Sequence, residues 1–258
     1  LTFDRFDNDR EEVIERAKKN GMKLIILSGL GAKSNREVLK LSEAHPGLLK
    51  PSFGIYPVDA VAKFITNPSE EIMRDLEIFD VDSEIKWIKD NKDKMIAIGE
   101  VGLDYKLVTE ENARVEQRKI FDRLVKLGKE IGKPLVIHSR NAEEDVLKIL
   151  KENNFNKAAV HCFHGKKRLI KEGIEAGIYF SIPPVIKRLD HFKMLVEMVP
   201  LTQLLTETDS PFLSPVAGER NEPSNVKFSI EEIAKIKKLS EKEVADQIYK
   251  NAVSLFNI

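Results

Sequence analysis

Seven short, continuous apolar runs rich in Ile and Val recur along this chain, at residues 23–27, 49–56, 95–100, 134–138, 158–163, 177–182 and 203–209. A strand with one wet face alternates apolar and polar residues, whereas a continuous run suits a parallel strand buried on both faces. The longer, charged segments between the runs read as helices. Residues 11–20 stop before Gly21, a residue suited to the C′ position, and residues 112–131 carry Ile120, Leu124 and Leu127 on one stripe before Gly132. Residues 142–152 follow Asn141, an expected N-cap, and helices over 230–237 and 241–256 close the chain. The last opens on Ser240 with Glu243 three residues later, the pattern of a capping box.

Strand–helix alternation of this kind leaves two architectures. One is a TIM-like (β/α) barrel; the other is an open, doubly wound sheet, for which seven strands are ordinary. No Gly-rich nucleotide fingerprint follows any run, which weakens a nucleotide-binding version of the open sheet. We therefore expect an α/β chain of barrel type, with residues 1–258 as a single domain. A closed parallel barrel typically has eight strands. Because the chain opens in a loop leading to a helix, the first strand of the barrel is expected to lie upstream of Leu1.

Composition narrows the function classes. Lys+Arg and Asp+Glu both number 42, so a strongly basic footprint for nucleic acid is absent, although a local patch fits within a balanced total. No apolar window approaches the length of a membrane span, and no signal peptide is visible. Cys162 is the single cysteine, which excludes an internal disulfide and suits a reducing cytoplasm. Nothing in the sequence calls for an obligate protein partner.

Four polar residues fall at the ends of buried-looking runs: Glu100, His138, His161 and Asp209. One such residue is ordinarily a helix cap or a satisfied core group. Four from four different strands converge, because the carboxyl ends of parallel strands meet at one face. Two imidazoles and two carboxylates there make a site for a divalent metal. Of the other histidines, His45 precedes a Pro-Gly turn and is expected at the surface, and His191 near a helix start is expected to be solvated. His164 can reach the site from the loop after His161 but is left outside the set. Cys162, alternating with His161, is expected to pack away from it.

At these positions the sequence resembles the TatD family of metal-dependent hydrolases and deoxyribonucleases. The matching stretches are Ile-Gly-Glu-Val-Gly-Leu-Asp-Tyr at 98–105, Pro-Leu-Val-Ile-His-Ser-Arg at 134–140, Val-His-Cys-Phe at 160–163, Leu-Thr-Glu-Thr-Asp-Ser-Pro at 205–211 and Arg-Asn-Glu-Pro at 220–223. The resemblance implies a TIM-like barrel, two divalent cations and hydrolysis of DNA phosphodiesters. It implies that Glu100 bridges both metals, that His138 and His161 hold one, and that Asp209 holds the other. It also implies an initial strand with a His-x-His pair, which Leu1 and the residues after it would follow. Tyr56 and Val58 stand where the family segment carries histidines, so the loop at 54–59 supplies no imidazole here.

The chemistry expected of such a site is metal-assisted hydrolysis. Two cations about 3.5–4 Å apart can clamp the attacking and leaving oxygens of a phosphodiester. Glu100 and Asp209 are then the catalytic carboxylates, with Asp209 orienting the attacking water or accepting its proton. Arg140 and Arg220 are candidates for gripping the substrate phosphate. Mg, Mn, Zn, Co and Ni are all compatible with the ligand set. Two alternatives stand beside a deoxyribonuclease: a hydrolase of another ester or amide, such as an aminoacyl-tRNA ester, and a degenerate, non-catalytic metal-binding protein.

Overall fold

The structure is a computed structural model that describes residues 1–65, 69, 71, 72 and 74–258. Its seven strands are β1 (Ile25–Ser28), β2 (Leu49–Phe53), β3 (Ala97–Asp104), β4 (Leu135–Arg140), β5 (Ala158–His161), β6 (Tyr179–Ile182) and β7 (Leu204–Thr206). All neighbouring strands pair in parallel and in strict chain order, from β1 to β7. A doubly wound sheet needs a reversal of strand order, and none occurs, so the winding is that of a barrel. β1 and β7 are the two edges and do not pair with each other among the described residues.

Helices fill the crossovers. They are α1 (Arg10–Lys19), α2 (Ala32–Ala44), α3 (Pro57–Ala60), α4 (Val81–Asp90), α5 (Glu111–Ile131), α6 (Glu143–Glu152), α7 (Lys167–Glu175), α8 (Asp190–Met198), α9 (Val226–Lys237) and α10 (Glu241–Phe256). The sequence signals explain several ends. Gly132 takes a left-handed φ of 72° and closes α5, as its lack of a Cβ allows. Ser240 and Glu243 exchange hydrogen bonds at the start of α10, the expected capping box. Asn141 does not cap α6: it turns through a φ of 56°, Ala142 holds the N-cap position, and no side chain caps the helix. No helix among the described residues is long and apolar enough to cross a membrane.

Two apolar layers hold the sheet. One large cluster, with Phe53, Ile98, Phe121, Ile137 and Phe180 at its centre, fills the space between strands and helices. A smaller one lies on the other face, where Ala97, Ala159 and Leu205 meet Ile26, Val136 and the α10 residues Leu255 and Phe256. Alternation along each strand then fixes what stands above this inner layer. His138 follows Val136 by two residues, His161 follows Ala159, and Glu207 follows Leu205. The inner face thus changes from apolar to ionisable at the carboxyl ends of β4, β5 and β7.

Two strand ends differ from expectation. β3 continues four residues past Glu100 to Asp104, and its register with β4 shifts between Ile98 and Val101. Glu100 therefore sits within an irregularity, a device that re-aims a side chain. β7 stops at Thr206, so Asp209 lies beyond the strand, in a left-handed turn with φ 52°.

Candidate metal centre

The side chains of Glu100, His138 and His161 converge, each offering one donor atom within 4.8 Å of the others. The Glu100 carboxylate oxygen Oε1 is 3.0 Å from Nδ1 of His138 and 3.0 Å from Nε2 of His161. Those two ring nitrogens are 3.1 Å apart. Close backbone approach makes this possible: a Cβ on Gly54 would lie 2.3 Å from the Glu100 nitrogen, and one on Gly102 would lie 2.0 Å from the His138 carbonyl oxygen. Only glycine fits either place.

The far nitrogen of each imidazole meets a carboxylate. Nε2 of His138 is 3.0 Å from Oδ2 of Asp104, which is fully buried and also accepts from the backbone nitrogens of Lys106 and Leu107. Nδ1 of His161 is 3.4 Å from Oε2 of Glu207. Glu207 in turn accepts from the Cys162 nitrogen and the Ser181 hydroxyl. An ionised carboxylate only accepts, so the nitrogen facing Asp104 or Glu207 carries a proton, and the nitrogen facing Glu100 is the one that can give up its proton and offer a lone pair to a cation. Carboxylate–histidine pairs of this kind orient metal ligands. Two lone pairs and a carboxylate oxygen aimed at one point fit a divalent cation.

The electrostatics agree with that fit. Burial would raise the Glu100 carboxyl, but the charges and hydrogen bonds of His161 and His138 outweigh it and hold it far below the usual range. Burial would lower both imidazoles, yet the surrounding carboxylates win: Asp104 and Glu100 raise His138, and Glu100 with Glu207 raises His161 well above its ordinary value. The same negative surroundings favour a bound cation, which displaces protons from its ligands.

Asp209 lines the cavity that contains this cluster but is not one of the three converging residues. Its surroundings of protein atoms raise its carboxyl despite His161, with Glu100 and Glu207 adding to the rise. The cavity is about 1480 Å³ and also takes in Arg140, Lys106, Tyr56 and His164. Arg140 reaches it with its guanidinium 3.1 Å from Glu71, and Lys106 pairs with the same carboxylate at 2.7 Å. Arg220 lies elsewhere. It makes two hydrogen bonds to Asp9, covers the Phe6 ring, and does not line the cavity.

Three further expectations change. His191 is not simply solvated, because its ring stacks on His164. His45, expected at a surface turn, keeps only 13% of its side chain exposed and faces Glu11. Cys162 packs against the core as expected, but a φ of 45° takes it out of strand alternation and it also lines the cavity. Asp104 and Glu207 were not singled out from the sequence. Glu207 had a parity signal, two residues after the inner-face Leu205, whereas Asp104 lies beyond the register shift in β3.

Comparison with known proteins agrees with the geometry. The family described as "TatD related DNase" matches residues 1–257. The human deoxyribonuclease TATDN3 is 35% identical over 258 residues, covering 99% of this chain and 92% of the human protein. An uncharacterised metal-dependent hydrolase of Methanocaldococcus jannaschii is 37% identical, covering 97% of this chain and 92% of that protein. In fold, the chain resembles the crystal structure of a TatD homologue from Escherichia coli K12, with a TM-score of 0.83 at 23% identity, over 99% of this chain and 95% of that one. The chain belongs to the family of TatD-related DNases.

Proposed function

We propose that residues 1–258 form one hydrolase domain that cleaves DNA phosphodiester bonds with the help of divalent cations. The observation that carries the proposal is the convergence of Nδ1 of His138, Nε2 of His161 and Oε1 of Glu100 within hydrogen-bonding distance of one another. The names of the relatives supply the substrate class: the human relative is a deoxyribonuclease, and the TatD protein of Musicola paradisiaca is named a 3'-5' ssDNA/RNA exonuclease.

In this reading Glu100, His138 and His161 would hold one cation. Glu100 and Asp209, which both line the cavity, would hold a second cation. Bound divalent cations supply Lewis acidity and a nucleophile at neutral pH. Asp209 orients the attacking water and receives its proton. Arg140 and Lys106, which already converge on one carboxylate, grip the non-bridging oxygens of the substrate phosphate. The mixed nitrogen and oxygen donors suit Mn, Zn, Co, Ni or Mg. The single cysteine suits work in a reducing cytoplasm.

The test is a substrate panel on protein stripped of metal and reloaded with each ion: single-stranded DNA, RNA, aminoacyl-tRNA and small carboxylic esters. The expected result is metal-dependent cleavage of DNA. Turnover of an ester with no cleavage of DNA overturns the proposal.

A further inference from the structure

Beside the metal centre, on the loop between β5 and α7, stands an aromatic pair that the site does not use. His164 is exposed and lines the cavity, three residues after His161. Its ring stacks on His191 of α8, with centroids 5.1 Å apart and planes 8° from parallel. The ring of Phe192, itself fully buried, meets His164 edge-on at 5.0 Å. Each imidazole is also tied to the backbone: Nδ1 of His164 donates to the Cys162 carbonyl at 2.7 Å, and Nε2 of His191 donates to the Phe163 carbonyl at 2.9 Å.

An exposed side chain normally samples several rotamers and gains little from being fixed. Here the carbonyl bond, the stacked neighbour and the edge-on Phe192 hold the ring in place. His191 does not line the cavity and serves as backing, so His164 is the member that faces substrate. Stacked on His191 and in edge-on contact with Phe192, His164 is still exposed to the cavity. Nε2 has no partner among the described residues. A rigid, flat π-face at the rim of a cavity binds another flat π-system, and in a nucleic acid that system is a base.

We propose that His164, backed by His191, is a stacking platform for the nucleobase next to the scissile phosphate. The platform rests on the DNA-hydrolase reading above and deepens it. Stacking tolerates any base, so the platform adds grip and position without strong sequence preference. It also compensates for the balanced overall charge, since part of the affinity then comes from bases rather than from phosphates.

The test compares metal-loaded wild type, His164→Ala and His164→Phe on two single-stranded oligonucleotides. One is a thymidine oligomer; the other carries stable abasic residues at the nucleotides flanking the cleavage position. For His164→Ala, kcat/KM on the thymidine strand should fall by about tenfold, the scale of one lost base–aromatic stack, with little change on the abasic strand. His164→Phe should keep most of the wild-type rate. Metal content should be equal in all three, which separates a stacking loss from damage to the neighbouring His161. Equal losses on both strands, or no loss on either, overturn the platform while leaving the nuclease reading intact. If loaded wild type cleaves neither strand, the nuclease reading falls and the platform falls with it.

Discussion

Nδ1 of His138 and Nε2 of His161 face each other at 3.1 Å, and each ring turns its other nitrogen to a carboxylate. Neutral imidazoles so oriented aim lone pairs at each other, and Glu100 adds a third acceptor. Only a proton or a cation between them relieves that repulsion. The folded state should therefore gain stability from divalent ions. At a free ion concentration of about 100 times Kd, binding adds about 2.7 kcal/mol, which for a chain of this size raises Tm by roughly 5–10 °C. Differential scanning fluorimetry with Mn2+ or Zn2+ should show the rise in wild type and lose it in His161→Ala. An equal rise in the variant would place the ion elsewhere.

The carboxylates behind the histidines make a separate prediction. Glu207→Gln keeps an amide oxygen for the Cys162 nitrogen, so the loop should stay folded. Its amide hydrogens can instead face Nδ1 of His161 and stabilise the wrong tautomer. Metal affinity should fall by about 10–100-fold, the usual cost of losing an outer-shell partner. Asp104→Asn likewise keeps an oxygen for the backbone nitrogens of Lys106 and Leu107 and should weaken metal binding similarly, because its amide hydrogens can face Nε2 of His138. Titration calorimetry with unchanged affinity in both variants would refute the orienting role.

How far the sequence could be read follows from the range of each signal. Strand positions came from local apolar runs, and the metal-site candidates from polar residues that interrupt them. The same rule ended β3 at Glu100, because a charge breaks an apolar run, whereas the strand continues through Val101 to Asp104. Asp104 and Glu207 then escaped notice as ordinary loop acids. Parity with Leu205 could have found Glu207, but the register shift in β3 hid Asp104. Nothing local could have found the partner of Arg220, which is Asp9, 211 residues away. The stacking of His191 on His164 is hidden in the same way, since α7 and β6 lie between the two in the chain.

Glu100 should matter more than either histidine, because one of its oxygens, Oε1, faces both rings at 3.0 Å. Glu100→Gln should abolish turnover and lower bound metal to below one ion per chain. His161→Ala should reduce occupancy of a single site and leave residual activity at high metal. Metal analysis after dialysis, with activity measured over a range of Mn2+, separates the two. Equal and mild losses would indicate a single mononuclear centre.

The two arginines singled out from the sequence should behave differently. Arg140 reaches the cavity, where a charge-assisted hydrogen bond to phosphate is worth about 1.5–3 kcal/mol. Arg140→Ala should thus raise KM for DNA by about 10–100-fold. Arg220 is committed to Asp9 and to the Phe6 ring. Arg220→Ala should lower Tm modestly and leave KM unchanged. A large rise in KM from Arg220→Ala would mean that the ion pair with Asp9 opens to receive substrate.

The last prediction concerns Tyr56, which stands beside His138 in the cavity wall. Its ring meets the His138 ring edge-on with centroids 5.0 Å apart, and the Arg74 guanidinium lies 5.6 Å from its own centroid. Arg74 is anchored in turn by two hydrogen bonds to Asp59, which is buried. A column of contacts therefore runs from Asp59 through Arg74 and Tyr56 to His138. The Tyr56 hydroxyl adds little to it, because its distance of 3.5 Å from Asp104 is at the limit of a hydrogen bond. An edge-on aromatic pair contributes about 0.5–1.5 kcal/mol beyond its burial. Tyr56→Phe keeps the ring and should bind metal almost as wild type does. Tyr56→Ala removes the wall against which His138 rests, and apparent metal affinity should drop by roughly 3–10-fold. Calorimetric titration of both variants with one metal decides the matter. If Tyr56→Phe loses as much affinity as Tyr56→Ala, the hydroxyl and not the ring positions His138.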